Sequence, residues 1–294
     1  MTTAIPQAFQ KLKSNLEITD LQEETVSTRQ KSVRDVVEAE LTVEGSFLTG
    51  SYSRHTMIAP LKEADIDIFV VLNASYYHHY KNGQNGGQAG LLDLLKRTLR
   101  KTYTRTPDIS RNGQAVTIRF DDFIVDVVPA FNRQGGGFLM PDSINSTWIS
   151  TDPKKHIDIM SQANAAHSGD LVPLIKMIKA WNRSIDRHFR SFHLEVMALH
   201  IFNNVKISDF PSGMRFFFDK SRELVTKQNL DPASLGGDVG SYINTQTKIQ
   251  EAAQRFQLAY ERALKAEQHE AQGNTTYAFD MWGKIFGDYF PAYG

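Results

Sequence analysis

Asp65-Ile66-Asp67-Ile68 is the segment of this 294-residue chain whose residue types and spacing can do chemistry. Side chains alternate along a strand, so Asp65 and Asp67 share one face and Ile66 and Ile68 the other. Two carboxylates side by side repel, and burial disfavours both charges. A divalent cation turns that cost into a site. Mg²⁺ suits it, because it takes one or two carboxylates and completes its shell with phosphate oxygens and water; Mn²⁺ can substitute. A third carboxylate, Asp126, lies among strand-forming apolar residues in Phe-Ile-Val-Asp-Val-Val-Pro, residues 123–129. An adjacent strand can set it beside the pair. Three carboxylates can hold two metals roughly 3.5–4 Å apart, the geometry of in-line phosphoryl and nucleotidyl transfer. Gly50-Ser51, separated from Asp65 by thirteen residues, is a small polar turn where backbone N–H groups can approach a phosphate and the hydroxyl adds a donor. Taken singly, an Asp-x-Asp also fits a solvated strand edge, and a Gly-Ser pair an ordinary turn.

The flanking pattern supplies the elements that must position these groups. Residues 18–42 predict a helix, with Thr19 or Asp20 as its cap and Leu21, Val33, Val37 and Leu41 among many charges. Residues 45–53 read as a loop, 64–72 as a strand, and 73–90 as a segment ending in a flexible Gly/Asn-rich loop. A short basic helix follows at 91–101. Residues 115–120 and 123–128 predict two strands around an Asp121-Asp122 turn, and 132–143, with three consecutive glycines, reads as a loop. From about 155 the pattern turns helical: a helix from Ser168 or Asp170 through Trp181, a second over 191–203, a long one over 241–272, and a short one ending at Gly287. The layout is α+β, a mixed-sheet N-terminal lobe followed by a helical C-terminal lobe.

Composition narrows the chemistry. Lys plus Arg and Asp plus Glu are both 33, and the balance holds in each half of the chain. Proteins that live on long nucleic acid usually carry a basic excess, so neutrality favours a small phosphorylated substrate. There is no cysteine, which removes disulfides, thiolate zinc sites and cysteine nucleophiles. No apolar run approaches the ~20 residues of a membrane helix, and the first six residues lack the charged and apolar parts of a leader. The expectation is a cytoplasmic protein without a membrane partner.

Further candidates lie in the helical half and in one basic run of the N-terminal lobe. Lys176 and Lys179, three apart, share one face of the predicted helix, opposite an apolar stripe of Leu171, Leu174, Ile175, Ile178 and Trp181. Two lysines on such a face read as solvated. Ser191 fits a helix cap, Phe192 fits core packing, and His193 and His200 fit core or supporting positions. The run Lys96, Arg97, Arg100, Lys101, Arg105 and Arg111 fits an exposed helix and loop, or a surface for an activating partner or nucleic acid.

In combination, Gly50-Ser51, Asp65-Ile66-Asp67 and Asp126 resemble the nucleotidyltransferase superfamily that includes DNA polymerase beta. Within it they are most similar to the branch of oligoadenylate synthases, cyclic GMP-AMP synthase and bacterial CD-NTases. Residues 125–131, 174–181, 191–195, Leu230-Asp231-Pro232-Ala233 and 282–291 carry further likeness, so the resemblance spans about residues 45–291. It implies a polymerase-beta-like core over residues 1–155 and a helical lobe over 156–294 closing a nucleotide cleft. It implies Asp65, Asp67 and Asp126 as catalytic metal ligands for Mg²⁺. Gly50, Ser51, Lys176, Lys179 and Ser191 would hold the donor triphosphate, with Phe192 against a nucleobase. The implied activity is synthesis of a cyclic di- or trinucleotide second messenger from NTPs, ATP among them, in anti-phage signalling. A separate effector protein would respond to the product, and an activating protein partner is compatible. The zinc-dependent DNA sensing of vertebrate relatives needs cysteines that this chain lacks. The alternatives are a linear oligoadenylate synthase, a nucleotidyltransferase acting on RNA or protein, and an inactive nucleotide-binding scaffold. No catalytic role attaches to Asp231-Pro232.

Overall fold

The computed structural model describes residues 4–105 and 108–293; residues 1–3, part of the stretch read above as lacking a leader, lie outside it. Contacts divide the chain into two compact units, Ile18–Asp158 and Met1–Glu17 together with Ile159–Gly294. The first helix, α1 (Ala4–Asn15), belongs to the second unit, whereas the sequence placed residues 1–155 together. The reason is its apolar stripe. Ile5, Phe9 and Leu12 are fully buried, and Phe9 meets Trp282, Phe286 and Phe290 edge-on.

The Ile18–Asp158 unit is built on a mixed sheet. Helix α2 (Asp20–Glu40) starts in a capping box between Thr19 and Gln22 and buries Val26, Val33 and Val37. Then follow β1 (Val43–Thr49), the one-turn helix α3 (Gly50–Ser53), β2 (Asp65–Leu72), α4 (Ala74–Tyr80) and α5 (Gly87–Thr102). Strands β3 (Asp108–Asn112), β4 (Ala115–Arg119), β5 (Ile124–Asn132), β6 (Phe138–Asp142) and β7 (Thr147–Thr151) complete the unit. The order is β1-β2-β5-β4-β3; β5 runs on to pair with β6, which pairs with β7. β2 and β5 are parallel and the other pairs antiparallel. Ile66, Ile68, Val70, Val125 and Val127 face the main core with α2 and α5. Phe69, Val71, Val128 and Ala130 face the opposite side, where Phe138 packs and Phe47 leans against them.

Several expected loops are ordered. Residues 43–49 form an edge strand rather than a loop, because pairing with β2 outweighs the weak strand preference of Gly45 and Ser46. Residues 81–86 form a tight turn, and α5 starts at Gly87, earlier than expected. Within the predicted loop at 132–143, Phe138–Asp142 is a strand because β5 and β7 flank it. The Asp121-Asp122 turn stands as expected, with the Phe120 amide bonded to the Phe123 carbonyl. In the basic run, Lys101 pairs with Glu40, Arg111 with Asp93, and Arg100 donates to the Ile109 carbonyl.

Helix α6 (Pro153–Ala166) leads into the helical unit of α7 (Leu171–Ser184), α8 (Ser191–Ile201), α9 (Phe210–Leu224), α10 (Gln246–Ala271) and α11 (Thr275–Phe286). Their core is aromatic: Trp181, Phe189, Phe217, Phe218 and Phe256 interlock at centroid separations of 4.6–6.0 Å. α11 ends at Gly287, whose φ of +58° suits glycine. Helix α9, capped by Asp209, went unpredicted. Among the described residues, no helix is long and apolar enough to cross a membrane.

Candidate active site

The strand register gathers the acidic residues. Asp67 stands opposite Asp126 across the parallel β2–β5 pair, and Asp65 stands opposite Ile124, on the same face one row away. The row through Asp67 extends both ways: Thr49 lies opposite Asp67 on β1, and Thr117 lies opposite Asp126 on β4. Thr49, Asp67, Asp126 and Thr117 thus form one polar line across four strands. It adjoins the apolar face of Phe69, Val71, Val128 and Ala130. Asp65 is exposed; Asp67 and Asp126 are half-buried.

Gly50 explains how the loop after β1 reaches this line. Its φ is +68°, a region L side chains enter at a cost, and a β-carbon placed on it would fall 1.7 Å from Asp67 Oδ2. The Asp67 carboxylate therefore lies directly against the Gly50 backbone, in space that any side chain would fill. Beyond it, Thr56 and Met57 donate backbone N–H groups to the Ser51 carbonyl at 2.9 and 3.1 Å, folding 50–57 into a compact turn.

Asp126 receives the Thr117 hydroxyl on Oδ1 at 2.5 Å. Burial raises its pKa above the ordinary aspartate value; the Thr117 hydrogen bond and the Arg119 charge pull the other way. Among the described residues, no three His, Asp or Glu side chains are drawn together tightly enough to cage a metal ion by themselves. The donor set is a pair plus a third carboxylate. That fits Mg²⁺, which leaves much of its shell to water and substrate oxygens. The cradle that a β-carbon at Gly50 would close fits it as well.

The helical unit places the remaining candidates. α7 is buried continuously from Leu171 to Asn182, so its two lysines are not on a solvated face. Each is satisfied by a carboxylate that the sequence reading did not single out. Lys176 Nζ lies 2.5 Å from Glu17 Oε2, and the Glu17 side chain is 47% exposed. Lys179 Nζ lies 2.7 Å from Glu195 Oε1 on α8, and Glu195 is wholly buried. Burying two charges is tolerable only when they meet, so this pair ties α7 to α8.

Ser191 is the first residue of α8 and is exposed; Arg190 occupies the cap position, so Ser191 does not cap the helix. Phe192 is half-buried. His200 is exposed, contrary to expectation, while His193 is buried. His193 Nδ1 shares a 3.0 Å hydrogen bond with the Tyr242 hydroxyl, which also accepts the Arg190 N–H at 3.0 Å. His193 Nε2 is buried and makes no hydrogen bond. Asp231 is the hub of a turn: its carboxylate accepts the amides of Ala233, Leu235 and Gly236. It is a structural knot, and no helix starts there.

The mixed sheet sets two aspartates side by side against a Gly-Ser turn, with a third one row away. The family model of the Second Messenger Oligonucleotide or Dinucleotide Synthetase domain matches residues 1–164, and the chain belongs to that family, the bacterial CD-NTases. It is a nucleotidyltransferase of the cyclic-oligonucleotide-synthase class. A probable cyclic nucleotide synthase of Bacillus cereus is 25% identical over 273 residues, covering 83% of this chain and 81% of that protein. The cyclic AMP-AMP-AMP synthase of an Acinetobacter species is 25% identical over 313 residues, covering 99% and 86%. Among solved structures, Escherichia coli CdnC in complex with HORMA-deltaN is similar at a TM-score of 0.78, with 17% identity and 98% of each chain covered. Bradyrhizobium diazoefficiens CdnG in complex with GTP is similar at 0.75, with 12% identity, covering 98% of this chain and 96% of that one.

Proposed function

We propose that this protein is a divalent-metal-dependent synthase that joins NTPs, ATP among them, into a cyclic di- or trinucleotide second messenger for anti-phage signalling. The observation that carries the reading is the Asp67–Asp126 pair in register, with Gly50 held against Asp67. The relative named a cyclic AMP-AMP-AMP synthase, aligned over 99% of this chain, supports ATP as a substrate. The CdnC complex with a HORMA protein supports a protein activator, and the CBASS naming of Escherichia coli CdnC relatives supports the defence role and a separate effector.

Asp65, Asp67 and Asp126 would hold the Mg²⁺. When bound, that ion supplies charge neutralisation at the donor phosphates and a more acidic acceptor hydroxyl. The residues of the chain do the rest. Gly50 brings backbone close to a phosphate, and Ser51 adds a hydroxyl donor. Lys176 and Ser191 offset and bind triphosphate charge as pyrophosphate forms. Lys179 is already met by Glu195, so it contributes by fixing α7 against α8, the helix that carries Ser191. Phe192 offers a ring for base stacking, which is tolerant of base identity. In the reaction a ribose hydroxyl oxygen of the acceptor bonds to the donor α-phosphorus, and the α–β anhydride bond breaks. Pyrophosphate leaves and the hydroxyl proton passes to water. One or two further rounds close the ring.

A product assay tests this. The protein is incubated with four α-labelled NTPs and Mg²⁺ or Mn²⁺, with and without a HORMA-type partner, then treated with phosphatase. The expected result is a phosphatase-resistant species of di- or trinucleotide mass, absent with Asp67→Asn. A ladder of linear oligomers, or labelled RNA or protein, would replace the cyclase reading. No product in any arm, together with failure to bind Mg²⁺-NTP, would leave a scaffold.

A further inference from the structure

Thr117 is 1% exposed, in the middle of β4, with its hydroxyl in hydrogen-bond contact with Asp126. A threonine is at home in a strand, but a buried hydroxyl there needs a partner. The neighbouring strand supplies one by register, since Thr117 and Asp126 are cross-strand partners in the β4–β5 hairpin. The hydroxyl has one proton, and a carboxylate can only accept, so Thr117 donates and Asp126 Oδ1 receives. β-Branching restricts χ1 of Thr117, which fixes the direction of that donation. Among the described residues, Asp126 makes no other hydrogen bond, so Thr117 alone sets the plane of its carboxylate and leaves Oδ2 available.

We infer that Thr117 is the positioning residue of Asp126: through this hydrogen bond it holds the carboxylate in the orientation in which it takes a divalent cation. The inference rests on the assignment of Asp126 as a metal ligand. Outer partners that orient a ligating carboxylate change metal affinity by roughly 10- to 100-fold when removed. Donation also draws charge from Oδ1, which by itself would weaken a ligand. Orientation dominates because the cation is left to the other oxygen, Oδ2.

The test is Mn²⁺ binding to the full chain, followed by electron paramagnetic resonance, with no nucleotide and no turnover. Thr117→Val removes the hydroxyl at constant shape. Thr117→Ser and Thr117→Ala both lose the methyl and differ from each other only in the hydroxyl. The expected result is Mn²⁺ affinity lowered about tenfold or more in the Val and Ala variants and kept within about twofold in Ser. Thermal melts identify folded variants, and if Val does not fold, the Ser–Ala pair decides alone. Equal or tighter Mn²⁺ binding in a folded Val or Ala variant, with Asp126→Asn losing it, overturns the inference about Thr117 and leaves the metal site intact. Binding unaffected by Asp126→Asn overturns the metal assignment and the inference with it.

Discussion

Gly50 and Asp67 are in backbone-to-carboxylate contact that leaves no room for a β-carbon, which would fall 1.7 Å from Asp67 Oδ2. Two separate costs meet at this position. The φ of +68° strains any L side chain by roughly 1–2 kcal/mol, and the clash pushes against the carboxylate proposed above as a metal ligand. Gly50→Ala is expected to leave a folded protein that has lost about a hundredfold in turnover, since a shift of about 1 Å at a reacting site is worth that much. Pyrophosphate release measured beside a thermal melt checks it. Turnover within about threefold of wild type would show that Asp67 needs no such support.

The Lys179–Glu195 pair gives a prediction about stability. Removing the lysine takes away the ammonium that stands 2.7 Å from the wholly buried Glu195 carboxylate. Breaking a buried pair from one side costs about 3–5 kcal/mol, whereas replacing both partners with apolar residues is often near neutral. Lys179→Met should therefore lower the urea midpoint sharply, and Lys179→Met with Glu195→Leu should recover most of it. If the single variant is as stable as wild type, the pair is not what holds α7 to α8.

His193 sets a pH dependence. Burial lowers its pKa from 6.5 to about 4; Asp238 opposes that shift and Arg190 adds to it. In the unfolded chain the imidazole takes up a proton near pH 6.5, and in the folded one not until about pH 4. The unfolded state thus binds more protons between these values, so stability is full above about pH 6.5 and falls as pH drops toward 4. Between pH 7 and 5 this one group accounts for about 2 kcal/mol. Urea unfolding of wild type and His193→Leu at both pH values isolates it. The variant should show a shallower loss, and an unchanged difference would place the acid sensitivity elsewhere.

The three aspartates were legible because strand alternation and hydrophobic flanks are local signals, and β2 and β5 are the most apolar strands of the sheet. The Asp67–Asp126 register follows from parallel pairing, which no local pattern specifies. Thr117 was within reach: counting outward from the Asp121-Asp122 turn sets residue 117 opposite 126. The face of Lys176 and Lys179 is buried rather than solvated, because three-residue spacing shows that two side chains share a face, not which way the face points. Glu17, far along the chain from Lys176, and Glu195, on another helix from Lys179, are tertiary partners with no periodic signature. β1 and β6 were read as loops because Gly, Ser and Pro weaken their local preference. Their hydrogen bonds are supplied by β2, β5 and β7, so only the assembled sheet makes them strands.

Lys176 and Glu17 separate a binding role from a structural one. Their 2.5 Å contact leaves Glu17 half in water, so the lysine can exchange that partner for a phosphate at little cost. If Lys176 holds the donor triphosphate, Lys176→Met removes a charge-assisted hydrogen bond worth roughly 1.5–3 kcal/mol, or about tenfold or more in KM for NTP. Glu17→Gln should act in the opposite sense, lowering KM about twofold to threefold, because the competing carboxylate is gone while the side-chain shape remains. A purely structural pair would lose melting temperature in both variants and leave both KM values alike. Steady-state kinetics over a range of NTP concentrations, with a melt of each variant, distinguishes the two. Opposite shifts in KM assign Lys176 to the phosphates, and parallel shifts remove it from the site.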